Sequence, residues 1–166
     1  MRPAQAVRGT VIGPDGTPLV GVRVIGLTAA NDPETLDGPA FTVEGLHPRG
    51  TRELIFHHRG RGLGKVVTVR GDAPGPLAVR LDPCGVVTGR LVDREGKPVP
   101  DVAVSLTAAV GGAGETTRTD GDGRFRAAGV PGLQYALTWY PRRQPAAVVE
   151  VDPGRTKDLG DLFPDR

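Results

Sequence analysis

The sequence has few of the residues on which nucleophilic enzymes and disulfide-rich proteins depend. Its single cysteine, Cys84, excludes a disulfide bond within the chain. Its single serine, Ser105, lies in the alternating segment VAVSLT and not in a G-x-S-x-G turn, so the sequence offers no pattern for a serine nucleophile. Because Cys84 also has no basic residue directly beside it, we expect a protein that is not an enzyme and that holds no cofactor.

Long apolar runs and a strong net charge are missing as well. No stretch approaches the roughly 20 apolar residues that a membrane helix needs, and the start MRPAQAV lacks the apolar centre of a signal peptide. The 21 basic residues are balanced by 19 acidic ones, so no basic tract predicts nucleic-acid binding. We expect no membrane insertion. Strand patterns begin and end close to the termini, so we expect a piece of a longer, extracytoplasmic protein of the periplasm or cell surface.

The sequence contains two copies of one motif, about 80 residues apart. Residues 7–24 read VRGTVIGPDGTPLVGVRV, and residues 87–104 read VTGRLVDREGKPVPDVAV. A fixed period indicates a duplicated module. It predicts two tandem domains, residues 1–82 and 83–166, with a short linker at residues 82–85. The shared positions are Val7 and Val87, Gly9 and Gly89, Gly16 and Gly96, Pro18 and Pro98, Val22 and Val102, and Val24 and Val104.

Alternating apolar and polar residues between Gly- and Pro-rich turns predict many short strands and no helix. The fold class we expect is therefore all-β, with two tandem antiparallel β-sandwiches of Greek-key type. In the first module, residues 29–39 are predicted to be a loop. In the second module, strands are predicted near 86–92, 101–109, 115–119, 123–128, 133–140, 146–151 and 157–162.

Short glycine-based motifs carry a family resemblance. The second module has the opening motif, then T-D-x-x-G-x-F at residues 119–125, then Gly129-Val130-Pro131-Gly132. This combination resembles the carboxypeptidase regulatory-like domain, which implies a transthyretin-like β-sandwich. The first module has the same opening but lacks T-D-x-x-G-x-F before Phe41, so we interpret it as a degenerate copy.

The resemblance implies a non-catalytic accessory module. It would act as a spacer or a protein-interaction domain of a larger bacterial multidomain protein of the envelope. Two alternatives stay open, since fold does not fix function. One is a module that binds carbohydrate or cell-wall material, and the other is a calcium-stabilised domain of the adhesion type.

Two segments are candidates for a site. Asp120 and Asp122 could begin a calcium loop, because carboxylates two residues apart can converge on a hard cation. The alternative is a β-turn in which an aspartate binds its own backbone. Tyr140, Arg142 and Arg143 combine an aromatic ring with guanidinium groups and form a possible interaction surface. The alternative there is a strand end with solubilising arginines.

Two further patterns point to no site. The adjacent His57 and His58 would face opposite sides of a strand, and no cysteine pair accompanies them, so we expect surface histidines instead of a zinc site. Residues 59–65, RGRGLGK, miss the glycine and the Ser or Thr of a phosphate-binding loop. They predict a mobile basic hairpin loop.

Overall fold

The computed structural model describes residues 5–108, 114–140 and 145–164, and these are almost entirely β-structure. The chain divides into two compact units, Met1–Pro83 and Cys84–Arg166. The all-β prediction is confirmed. Within the described ranges there is no helix of the length and apolarity that crossing a bilayer requires.

The first unit contains eight strands in two sheets. The smaller sheet has the order β4-β1-β7, and the larger has the order β3-β2-β5-β6-β8. A 3-10 turn, Arg59–Arg61, joins β5 to β6. The strands are β1 (Gln5–Ile12), β2 (Arg23–Ile25), β3 (Glu34–Thr35), β4 (Ala40–Leu46), β5 (Thr51–His58), β6 (Leu63–Arg70), β7 (Leu77–Arg80) and β8 (Asp82–Pro83).

Within its described residues, the second unit repeats this plan without a counterpart of β8. Its sheets have the orders β12-β9-β15 and β11-β10-β13-β14. Each strand from β9 to β15 therefore occupies the place of the strand from β1 to β7 in the first unit. The strands are β9 (Gly85–Leu91), β10 (Ala103–Ala108), β11 (Gly114–Arg118), β12 (Arg124–Gly129), β13 (Gln134–Trp139), β14 (Ala147–Glu150) and β15 (Thr156–Leu162).

Each unit has an apolar core of its own, supplied by the alternating residues of its strands. In the first unit the rings of Phe41 and Phe56 meet edge to face, with centroids 5.2 Å apart. In the second unit, Leu106 and Leu137 face each other across β10 and β13, and both are fully buried. Burial of such side chains is the main favourable term in folding.

The same glycine–phenylalanine contact is built into both units. Gly9 pairs with Phe41 across β1 and β4, and Gly89 pairs with Phe125 across β9 and β12. A Cβ on Gly89 would lie 2.6 Å from Cζ of Phe125. The glycine thus leaves the space that the cross-strand ring fills.

The first hairpin is also closed in the same way twice. Gly16 and Gly96 have φ values of 84° and 80°, a left-handed conformation that favours glycine. Oδ1 of Asp93 accepts the backbone N–H groups of Glu95 at 3.0 Å and Lys97 at 2.8 Å. In the first copy the capping residue is Asp15, whose Oδ1 accepts the backbone N–H of Thr17 at 3.1 Å. The duplicated motif therefore encodes a turn, which accounts for its shared glycine, although the capping aspartate stands two positions later in the first copy.

Antiparallel pairing holds for most strands but not at one edge of each smaller sheet. The pairs β1–β7 and β9–β15 run parallel. Parallel neighbours require a long crossover connection, and here the chain passes through the opposite sheet before it returns. The prediction of wholly antiparallel sheets is wrong for these two pairs.

Two predicted connections contain paired backbone. In the predicted loop 29–39, β3 pairs with β2. In the predicted linker 82–85, Asp82 and Pro83 pair with β6, and Gly85 begins β9. Cys84 is thus the one residue of this segment outside a strand, and the boundary between the two units, Pro83 to Cys84, falls within it.

Candidate functional site

Asp120, the first residue of the calcium candidate, is engaged in a turn. Its Oδ1 accepts the backbone N–H groups of Asp122 and Arg124, both at 2.9 Å. Asp93 does the same at the first hairpin of this unit. Within the described ranges no three acidic, histidine or cysteine side chains gather around a possible metal ion. The geometry supports the turn alternative for Asp120.

Tyr140 follows the last residue of β13, and its side chain is 86% exposed. The preceding Trp139 is buried, and its indole N–H donates to the carbonyl oxygen of Pro164 at 3.4 Å. Arg142 and Arg143 lie outside the described residues. The structure therefore places one of the three predicted interaction residues, Tyr140, at the surface.

The histidines act as local hydrogen-bond acceptors. Nδ1 of His47 accepts the backbone N–H of Arg49 at 3.1 Å, and Nδ1 of His58 accepts that of Arg61 at 3.2 Å. Burial lowers the pKa of His57, and nearby cationic side chains lower it further. His58 thus caps the 3-10 turn that occupies the predicted basic loop.

A charged groove in the second unit went unpredicted. It encloses about 580 Å³ on the outer face of the sheet β12-β9-β15 and reaches Arg118 on β11. Four arginines line it: Arg90, Arg118, Arg124 and Arg126. We call it the arginine groove.

The carboxylates of the arginine groove are already engaged. Asp120 holds its turn, Asp158 accepts the N–H of Gly160 at 3.0 Å, and Asp161 lies 4.0 Å from Arg90. Arg90 also donates from Nε to the carbonyl oxygen of Asp122 at 3.0 Å. The lining thus combines four arginines with three aspartates, which leaves a formal charge of +1.

Two of the four guanidinium groups remain without a partner. Arg118 pairs with the carboxylate of Asp101 at 2.9 Å. The side chains of Arg124 and Arg126 are exposed, and neither makes an ion pair or hydrogen bond within the described part of the chain. They are the groups available to an incoming ligand.

Sequence reasoning missed this groove because its residues are scattered over four strands and a turn. One signal was present in the segment RFR at 124–126, where arginines flank a core phenylalanine. Alternation places both guanidinium groups on the outer face of a strand. Only the strand order brings β9, β11 and β15 beside them.

The second unit is similar to a known family. Residues 86–162 match the family model of the carboxypeptidase regulatory-like domain. The family model begins in β9 and ends with β15, so it spans all seven strands of that unit. The arginine groove and the Gly89–Phe125 contact both lie within the matched residues. That the first unit is a degenerate copy stays a prediction. No curated protein matches the chain in sequence.

Solved structures similar to the chain include three bacterial proteins. The minor pilin GBS52 of Streptococcus agalactiae is 14% identical, with a TM-score of 0.47 and 95% of each chain covered. A streptococcal ancillary pilin is 15% identical, with a TM-score of 0.38 and 95% of this chain covered. The Bacillus anthracis TIE protein is 14% identical, with a TM-score of 0.38 and 98% of this chain covered. The chain spans 62% of the ancillary pilin and 34% of the TIE protein.

Cys84, the first residue of the second unit, carries a buried thiol. Its side chain is 7% exposed, and burial raises its pKa to about 11, with a smaller contribution from the charge of Glu115. The thiolate is the reactive form of cysteine. The structure therefore gives Cys84 the character of an inert core residue.

We expect the native chain to react with Ellman's reagent at pH 8 about a hundredfold more slowly than the unfolded chain, because the thiolate fraction falls tenfold per pKa unit. The increase in absorbance in buffer and in 6 M guanidinium measures both rates, with denaturant-treated glutathione as the reagent control. Equal rates in the two solvents would contradict a buried thiol.

The same pKa makes the second unit sensitive to high pH. The native pKa of Cys84 lies above that of the unfolded chain, so the unfolded state ionises first as pH rises. The contribution of the buried neutral thiol to the free energy of unfolding is therefore complete below about pH 9 and is lost as pH rises toward 11. We expect the free energy of unfolding to fall by about 2 to 3 kcal/mol over this range. Urea titrations followed by Trp139 fluorescence measure it. Cys84→Ala should remove that part of the fall, and an unchanged fall would contradict the assignment.

Proposed function

We propose that the chain is a non-catalytic accessory module, which acts as a spacer or a protein-interaction domain within a larger bacterial, envelope-associated protein. One observation carries the proposal: a single strand plan is built twice, and its motif residues serve turns and cores. The match of residues 86–162 to the regulatory-like family supports the same conclusion.

The contacts of the motif residues favour a structural role over a catalytic one. Asp93 and Asp120 bind backbone N–H groups of their own turns, and Gly89 makes room for the ring of Phe125. Thr119 is buried and bridges two chain segments, since its Oγ1 accepts from Val102 at 2.9 Å and donates to Val99 at 2.8 Å. These contacts fix the fold and leave the outer surfaces to carry partners.

The proposal is tested with the purified chain and a panel of ester, phosphoester, peptide and glycoside substrates. We expect no turnover above that of a heat-denatured control. Turnover that survives a second purification and disappears with one substitution would contradict the proposal.

A domain replacement decides between spacer and interaction domain. In the full-length gene product, residues 84–166 are replaced by an unrelated β-sandwich of equal length. A spacer tolerates the replacement, whereas an interaction domain loses the binding of its partner.

Tyr140 supports one alternative, the binding of carbohydrate or cell-wall material. Its ring is 86% exposed at a strand end, where a sugar could stack on it. On a glycan array, binding should then be lost with Tyr140→Ala and retained with Tyr140→Phe. An array without signal would remove this alternative.

A further inference from the structure

We propose that the arginine groove binds an extended acidic segment of a protein partner, with carboxylates at alternate residues that pair with Arg124 and Arg126. This rests on the proposed function, because it names the partner chemistry of the interaction module. The binding residues would lie on β12, and the segment would run along the outer face of its sheet.

Charge selects an acidic occupant. The aspartates of the groove are engaged in a turn, a loop and an ion pair, whereas Arg124 and Arg126 have no partner within the described ranges. A guanidinium group binds a carboxylate through two parallel hydrogen bonds, which makes arginine well suited to this recognition. The side chains of the groove that remain without a partner are therefore cationic.

Spacing selects an extended chain. Arg124 and Arg126 are two residues apart on one strand, which separates them by about 6.7 Å along it. Alternate residues of another extended chain have the same spacing and also point to one side. Thr88, which pairs with Arg126 across β9, adds a hydroxyl group beside the carboxylate position.

The first unit shows that the fold does not require these charges. Arg124 and Arg126 correspond to Ala40 and Thr42, because each pair flanks the phenylalanine that pairs with the glycine shared by the two copies. Arg90 corresponds to Thr10 in the same register. In this register the first unit carries one arginine, Arg8, in the place of Thr88, whereas the second unit carries three. The fold therefore does not require an arginine at positions 90, 124 and 126.

The lining also disfavours a neutral sugar. Its one aromatic residue, Phe125, is buried with 4% exposure and offers no ring face to a ligand. A volume of about 580 Å³ lies within the range of about 300–1,000 Å³ usual for ligand sites. An acidic peptide segment satisfies both the charge and the open shape.

The test measures fluorescence anisotropy of a labelled peptide, Thr-Asp-Thr-Asp-Thr-Asp-Thr, titrated with the full chain at low ionic strength. We expect binding that weakens as salt is added. The variant Arg124→Ala with Arg126→Thr introduces the residues of the first unit at these positions and should bind at least tenfold more weakly. Arg94→Gln, which removes an exposed arginine of the same unit, should bind like the unaltered chain.

Three further arms separate the proposal from other occupants. A peptide with Asn in place of Asp should bind at least tenfold more weakly. So should Asp-Thr-Thr-Asp-Thr-Thr-Asp, in which successive aspartates of an extended chain point to opposite sides. Vesicles containing phosphatidylglycerol should not compete. Trp139 fluorescence during urea titration checks that the double variant is folded.

The proposal is overturned if the peptide fails to bind at millimolar chain concentration, if the double variant binds as well as the unaltered chain, or if only the vesicles bind. These results leave the proposed function intact, since that rests on the substrate panel. Turnover in the panel would overturn the proposed function whatever the peptide does.

Discussion

Phe56→Ala should strongly destabilise the first unit and leave the stability of the second unit unchanged. Phe56 is fully buried and packs edge to face on Phe41, so truncation should cost about 3 to 5 kcal/mol. A unit of this size has a typical free energy of unfolding of about 4 to 12 kcal/mol. The loss is therefore a large share of what holds the first unit together.

The only tryptophan, Trp139, makes this measurement selective, because it lies in the second unit. We expect the far-ultraviolet circular dichroism of Phe56→Ala to lose part of its amplitude at much lower urea, while the Trp139 transition keeps its midpoint. Val20→Ala is the control, since Val20 is 61% exposed in the same unit and should have little effect. A Trp139 transition that shifts as far as the dichroism would show one shared core.

Gly89→Ala should destabilise the second unit. Its new methyl group would lie 2.6 Å from Cζ of Phe125, and that ring is packed in the core and cannot swing into solvent. Overpacking of this kind costs about 1 to 3 kcal/mol. We expect the urea midpoint measured by Trp139 fluorescence to fall accordingly.

Two further variants identify the contact as the cause. Gly121→Ala is the matched control, because a Cβ there meets nothing within 4 Å. Phe125→Leu combined with Gly89→Ala should cost less than the sum of the two single variants, since the smaller side chain removes the clash. Additive losses would mean that the glycine is required for another reason.

The strands of the second unit could be predicted from the sequence because alternation and turn residues agree there. All seven strands lie within two residues of their predicted bounds at both ends. Tyr135, Leu137 and Trp139 alternate as buried residues, as the pattern requires. Where local preference and tertiary packing coincide, the sequence alone is informative.

The elements that went unpredicted depend on partners distant in sequence. β3 has two residues, Glu34 and Thr35, and both are exposed, so it carries no apolar alternation. Its backbone pairs with β2, and no local pattern in the sequence predicts that pairing. The parallel edge strands went unpredicted for the same reason, since direction is set by the path of the whole chain.

In the candidate site, too, local features could be predicted from the sequence and features assembled from distant residues could not. The turn at Asp120 is visible in the sequence, because an Asp-Gly turn is formed by neighbouring residues. The arginine groove could not be predicted, because Arg90 and Arg124 meet only through the register of β9 and β12. Local chemistry is visible in a sequence, whereas a surface assembled from several strands requires the fold.

The central claim is that a compact β unit with its own core occurs twice in this chain. Urea unfolding of residues 84–166 alone, followed by Trp139 fluorescence, tests it most directly. We predict one cooperative transition with a midpoint close to that of the same probe in the whole chain. A fragment whose fluorescence changes gradually, with no transition, would contradict the claim.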